Sequence, residues 1–257
     1  MEQRPILIVA AMEIGMGFLL EKMENKKMEK VNKYTFYEGL INNYPVVLCH
    51  SNVMTFNAAI ATTIAINKYN PIAIITEGCS GSTSKEIHRN DIVIGEKCIN
   101  ITSCKMPHKN EGEGSNSLDW ELVYFIEGED DRFEAQYGDN NLVDICKTIP
   151  YTKGKVHFGN LGSGDIWNSE VDKINQLNKE YGILCEDMES IAVYYTANTF
   201  KIPVIGIRSI SDNGIVGEEY DRNVEILSQE FAYELILKMP LKGERGGNNN
   251  DQNKIER

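Results

Sequence analysis

The stretch Ile202–Gly214, IPVIGIRSISDNG, decides how the chain is read. Ile202, Val204, Ile205, Ile207 and Ile210 are β-branched and apolar, and they run without strict alternation. A strand buried on both faces reads this way, and such strands lie inside parallel sheets covered by helices. The carboxyl end turns polar at Ser211, Asp212, Asn213 and Gly214. In open α/β sheets the ligand crevice lies outside the carboxyl ends of the strands, so Asp212 is delivered by a rigid apolar element to the place where chemistry is done. Ser-Asp-Asn-Gly is also a turn sequence, since these residue types favour turns for backbone reasons alone.

Strand and helix patterns alternate through the rest of the chain. Ile6–Ala11 reads as a strand and Glu13–Met23 as a helix after a very short turn, the opening of an α/β unit. Tyr34–Leu40 and Tyr44–His50 flank Asn42-Asn43 and predict a hairpin. Thr55–Lys68 is a helix rich in Ala and Ile, and Pro71–Thr76 is a strand that runs into EGCSGS, whose small residues let backbone turn sharply or approach a ligand. Asp91–Ile99, Lys155–Leu161 and Ile183–Cys185 are further strands; Ser169–Lys179, Asp187–Phe200 and Glu218–Met239 are helices. Residues from about 102 to 140 are polar and Gly-rich around LDWELVYFI, and form a surface insertion: a lid, an oligomer contact or a partly disordered loop. Residues 1–240 then form a single domain, and 241–257, which lack apolar mass, a disordered tail.

The net charge of −12, from 38 acidic and 26 basic residues, excludes nucleic acid as the main partner, because phosphate binding needs a basic surface. A small neutral or cationic ligand fits better. Six cysteines stand singly, with no CxxC pair and no metal-ligand spacing, as reduced thiols in a cytoplasmic protein do. No apolar run approaches the roughly 20 residues that span a bilayer, so no membrane partner is expected.

Three polar strand ends and one helix start collect at one edge: Gly78–Ser82, Ser163–Asn168, Ser211–Gly214 and Asp187–Glu189. Convergent polar groups at such an edge are a site hypothesis. The residues there, with AAME at Ala10–Glu13, EGCSG at Glu77–Gly81, GSGD at Gly162–Asp165, EDMES at Glu186–Ser190 and RSISDNG at Arg208–Gly214, make the chain resemble the 5'-methylthioadenosine/S-adenosylhomocysteine nucleosidases of the wider nucleoside phosphorylase superfamily. The resemblance spans roughly Ile6–Met239 without the insertion. It implies an α/β fold, a three-layer α/β/α sandwich around a twisted mixed β-sheet, and a homodimer that hydrolyses the N-glycosidic bond of an adenine nucleoside without cofactor or metal.

By resemblance, Asp212 is the general acid that protonates the adenine, with Ser211 positioning it. Glu189 grips the ribose hydroxyls, as an acceptor-only carboxylate can; its alternative is a first-turn glutamate favoured by the helix dipole. Met188 lies against the sugar, and Asp187 and Met12 line the same pocket. Trp167 stacks on the base, or else is a core tryptophan, and Asn168 meets the base edge. Cys79 falls where relatives have a serine near the ribose, and Val53 and Phe56 near the sugar and its 5' side. One departure is larger: family hydrolases carry a water-activating glutamate three residues after the methionine of AME, where this chain has Gly15. Glu13 is the nearest carboxylate, although two positions along a helix turn its side chain to nearly the opposite face; Glu77 is the second candidate. The rival functions are a phosphorylase, which needs arginines where this chain has Glu77, and a non-catalytic nucleoside-binding or storage protein, which Gly15 motivates.

Overall fold

The computed structural model describes residues 3–124 and 133–240. In chain order the strands are β1 (Ile6–Ala10), β2 (Glu24–Val31), β3 (Tyr34–Ile41), β4 (Tyr44–His50), β5 (Ala73–Ser82), β6 (Ile92–Asn100), β7 (Cys104–Lys105), β8 (Glu121–Leu122), β9 (Ala135–Tyr137), β10 (Val156–Ser163), β11 (Ile183–Asp187) and β12 (Val204–Asp212). The α-helices are α1 (Gly17–Lys22), α2 (Thr55–Tyr69), α3 (Asn140–Cys146), α4 (Val171–Tyr181), α5 (Ser190–Thr199) and α6 (Glu225–Lys238). Successive strand residues face opposite sides, and β1 shows the result. Ile6, Ile8 and Ala10 enter a core with Leu142 of α3 and Phe231 and Leu235 of α6, while Leu7 and Val9 enter a second core with Ala58 and Ala61 of α2 and Val193 of α5. Both faces of the sheet are covered, and the three layers expected from the sequence are present.

The strand order is β11-β10-β6-β12-β5-β1-β4-β3-β2. Neighbours run parallel except at the β12/β6 seam and in the β4-β3-β2 meander, so the sheet is mixed. It also curls: β11 pairs antiparallel with the far end of β5, Cys185 opposite Ser82 and Glu186 opposite Gly81. Strands β5, β12, β6, β10 and β11 therefore close a ring, which draws the carboxyl ends of β5, β11 and β12 together.

The seam is made by a close approach. Gly95 of β6 faces Gly206 of β12, and the hydroxyl of Tyr194 donates to Gly95 O at 2.7 Å and accepts from Gly206 N at 2.6 Å. Only a residue without a side chain leaves room for that phenol.

Several boundaries differ from the sequence reading, each for a local reason. EGCSGS is no loop but the continuation of β5 to Ser82, paired with β12 and β11. Glu13–Met23 divides into a 3₁₀ turn at Glu13–Met16 and the short α1. The helix expected from Asp187 starts at Ser190, and the one expected from Glu218 starts at Glu225 after a 3₁₀ turn. β2 was not anticipated because ENKKMEKV carries no apolar periodicity; it is an exposed edge strand with the lysines that protect such edges. α3 is capped by Asp139, whose carboxylate accepts from Asn141 N and Leu142 N. In the hairpin, Asn42 and Asn43 have φ of 50° and 60°, as a two-residue turn of this twist needs.

In the insertion, β7 pairs β8, β9 joins β6, and Ser117 and Leu118 dock on α4 through Lys173 and Gln176. Residues 125–132 of the insertion and the expected disordered tail, 241–257, lie outside the described residues.

Gly95→Ala tests the seam. An added Cβ would lie 2.6 Å from both Leu161 Cδ1 and the Tyr194 hydroxyl, so overpacking by about 1–3 kcal/mol is expected. Thermal melting should show a drop of several degrees; an unchanged transition would mean that the seam yields.

Candidate active site

A cavity of about 320 Å³ opens where β5, β11 and β12 end beside the turn after β1. Its organising feature is a buried ion pair. Arg208 Nε donates to Asp187 Oδ2 at 2.7 Å, and Nη2 donates to Ser190 Oγ and Thr76 Oγ1. Asp187 Oδ1 accepts from Ser163 Oγ, Glu189 N and Ser190 N, and Oδ2 also accepts from Ser190 Oγ. Burial alone would raise the Asp187 pKa, but the Arg208 guanidinium and these hydroxyls hold it below the ordinary value. Asp187 was expected to contact a ligand; with both oxygens engaged, it instead fixes the loop that presents Met188 and Glu189.

Glu189 is the residue before α5, outside the helix. Its Oε1 accepts from Met54 N at 2.8 Å, and Met54 adopts φ of 80°, a conformation that side chains resist and that a firm surrounding must impose. Asp165 secures this corner by accepting from Thr55 N and Thr55 Oγ1. Burial, with the Asp187 charge adding to it, pushes the Glu189 carboxyl up to about 7.

At another side of the cavity Asp212 accepts from Ser211 Oγ at 2.6 Å, while the same hydroxyl reaches Ser80 O. Asn168 Nδ2 donates to both oxygens of Glu186. Burial pushes Glu186 up to about 7, opposed by Asn168 and reinforced by the Asp187 and Asp212 charges. Trp167 is 75% exposed and lines the mouth with Tyr220, the rings 6.3 Å apart and tilted by 59°. The core reading of Trp167 is thereby excluded: it is a free aromatic face.

The third side holds Gly15, Cys79, Glu77 and Glu225. The Cys79 thiol donates to Glu225 Oε1 at 3.2 Å, and Ser228 Oγ donates to Glu77 Oε2 at 2.7 Å. Burial pushes Cys79 up to about 12, so it stays a thiol donor. Burial also pushes Glu77 up to about 8; Ser228 and Arg208 oppose this and Glu225 adds to it.

Of the residues expected from the sequence, Asp212, Ser211, Glu189, Met188, Asp187, Trp167, Asn168, Cys79, Met12 and Val53 line this one cavity. Two do not. Phe56 is 78% exposed, projecting from the first turn of α2 to the outside. Glu13 is exposed on its 3₁₀ turn and lines a shallow neighbouring depression with His50, Asn52 and Arg222; consecutive positions of a turn cannot face the same way, and Gly15 takes the inward one. Arg208, Glu186, Tyr220 and Glu225 were not singled out. Arg208 carried a signal, a lone cation inside an apolar strand, whereas Glu225 reads as an ordinary glutamate within the helix expected from Glu218.

Among the described residues that line the cavity, Glu77, Glu186, Asp187, Glu189, Asp212 and Glu225 surround the single cation Arg208. No helix among the described residues is long and apolar enough to cross a membrane.

A family model described as the phosphorylase superfamily matches residues 5–238. The 5'-methylthioadenosine/S-adenosylhomocysteine nucleosidase of Halalkalibacterium halodurans is 29% identical over 235 residues, covering 88% of this chain and 93% of that one. The solved 5'-methylthioadenosine/S-adenosylhomocysteine nucleosidase of Helicobacter pylori aligns with a TM-score of 0.78 at 18% identity, covering 93% of this chain and 100% of that one. The futalosine hydrolase of Helicobacter pylori aligns with a TM-score of 0.75, also at 18% identity, over 92% and 98%. At such identities the solved structures speak for the fold.

The raised carboxyls set a pH dependence. Glu77 holds its proton more tightly folded, to about 8, than at its ordinary 4.5, so its contribution to stability is full below 4.5 and is lost as pH rises toward 8. The melting temperature of the ligand-free protein should fall between about pH 5 and pH 8, and Glu77→Gln should flatten that fall. A Glu77→Gln profile parallel to the wild type would contradict it.

Proposed function

Because the chain belongs to the phosphorylase superfamily, we propose that it is a hydrolase that cleaves the N-glycosidic bond of an adenine nucleoside of the 5'-methylthioadenosine or S-adenosylhomocysteine type, releasing adenine. The observation that carries this reading is the charge of the cavity: carboxylates on three sides and one cation already committed to Asp187. Such a site offers inorganic phosphate no uncommitted cation among the described lining residues, and its acidic groups favour the positive charge that develops on a ribose ring as its glycosidic bond breaks.

The geometry supports the following roles. Glu189, with one oxygen anchored by Met54 N, offers its other oxygen to ribose hydroxyls. Met188 covers the sugar, and Val53 lies toward its 5' substituent. The exposed indole of Trp167 stacks on the base, worth about 0.5–1.5 kcal/mol beyond burial. Asp212, oriented by Ser211, donates the proton that lets the base leave neutral.

Val53, Met54, Phe56 and Ile60 form an exposed apolar run beside the mouth. A second copy of the chain covering that run would make the homodimer and close the 5' side, which gives Phe56 a place the isolated subunit does not. The six free cysteines, four of them buried, suit the reducing cytoplasm.

Purified protein incubated with methylthioadenosine, adenosylhomocysteine and adenosine should release adenine from at least the first two, and Asp212→Asn should lower kcat by about 10²–10⁴-fold with little change in KM. Absence of release from every substrate would favour a binding protein instead. Sedimentation should give a dimer, and Phe56→Asp should shift it toward monomer; a monomeric active wild type would remove the dimer.

A further inference from the structure

A side chain begun at Gly15 would place its Cβ 3.6 Å from Glu225 Oε2 and 3.6 Å from Glu77 Oε1. Both carboxylates are 2% exposed, and those two oxygens have no hydrogen-bond partner. Each group is held by its other oxygen, Glu225 by the Cys79 thiol and Glu77 by Ser228. Two buried acceptors thus point at one small space over a glycine, on the wall of the cavity. An unpaired buried carboxylate oxygen is costly, and a space bounded by two acceptors calls for a molecule with two donors. Water is such a molecule and of the right size.

The backbone around this space is fixed. Gln229 of α6 donates to Ile14 O and accepts from Phe18 N, so the turn carrying Gly15 is clamped to the helix whose first residue is Glu225. Shape and charge agree: a glutamate at position 15 would bring a third carboxyl against the two already present, so Gly15 and Glu225 are complementary.

We propose that Glu225 is the catalytic base of this enzyme, and that with Glu77 beside it the pair holds the attacking water over Gly15. The proposal rests on the hydrolase reading and deepens it. One O–H bond of the water breaks and its proton passes to the Glu225 carboxylate, while the oxygen lone pair forms the new bond to the sugar C1'. The C1'–N bond breaks, its electron pair leaves with the base, and the base takes a proton from Asp212. The two carboxyls return to their starting states by exchange with solvent, so the sum is nucleoside plus water to sugar plus base. Burial raises both carboxyls; the Cys79 thiol with Arg222 and Arg208 oppose the rise at Glu225, and Ser228 with Arg208 oppose it at Glu77. Glu77, which burial pushes up to about 8, keeps its proton and orients the water.

Adenine release from methylthioadenosine by Glu225→Gln should show kcat down at least 100-fold with KM within threefold of wild type. Moving the carboxylate should restore function: Gly15→Glu combined with Glu225→Ala should exceed Glu225→Ala alone by at least tenfold. Circular dichroism melts confirm that the variants compared are folded. An active wild type with Glu225→Gln within threefold in kcat overturns this inference alone, as does a folded double variant that recovers nothing. A wild type that releases no adenine overturns the hydrolase reading, and this inference with it.

Discussion

The buried pair of Arg208 and Asp187 is the interaction on which the rest of the site depends. A buried charge is tolerated only when it is paired and hydrogen-bonded, and here the pairing ties four elements together. Arg208 comes from β12, Asp187 from β11, Thr76 from β5, and Ser190 from the first turn of α5. Ser163 at the end of β10 adds a fifth hold and also receives Ile191 N. Removing one partner of such a pair costs about 3–5 kcal/mol, so the strand ends cannot drift apart cheaply. The ring closed by β11 and β5 sets where those ends lie, and the ion pair locks them there.

A second consequence is the sign of the field. The single cation of the cavity is spent internally, and the remaining carboxyls face the open space. Burial gives Glu77, Glu186 and Glu189 raised proton affinities, so near neutrality part of the acidic wall is uncharged and part is not. That mixture suits a reaction in which one carboxyl gives a proton, another accepts hydroxyls, and positive charge builds on a sugar between them.

Much of the fold was legible because β12 and β1 are apolar runs that only a covered sheet explains, and because Asn42-Asn43 specifies its own turn. The site was legible where the polar residue terminates such a strand, as Asp212 does. Legibility failed where tertiary pairing overrode local pattern. EGCSGS looks like a loop yet pairs on both edges; ENKKMEKV has no apolar face yet extends the meander. Asp187 was visible as a site residue, but its partner Arg208 lies in a different strand and sequence alone does not show the two oxygens filled. Glu225 was invisible because its meaning comes from the empty side-chain position at Gly15, brought beside it only by the docking of α6 on the first turn.

Hydrolysis and phosphorolysis differ in the acceptor of the sugar. Mass analysis of the sugar product formed in ¹⁸O-labelled water, with inorganic phosphate present in excess, reads that acceptor directly. Hydrolysis gives a free sugar carrying one labelled oxygen at C1' and a rate indifferent to phosphate. An unlabelled sugar 1-phosphate, formed only when phosphate is supplied, would contradict it.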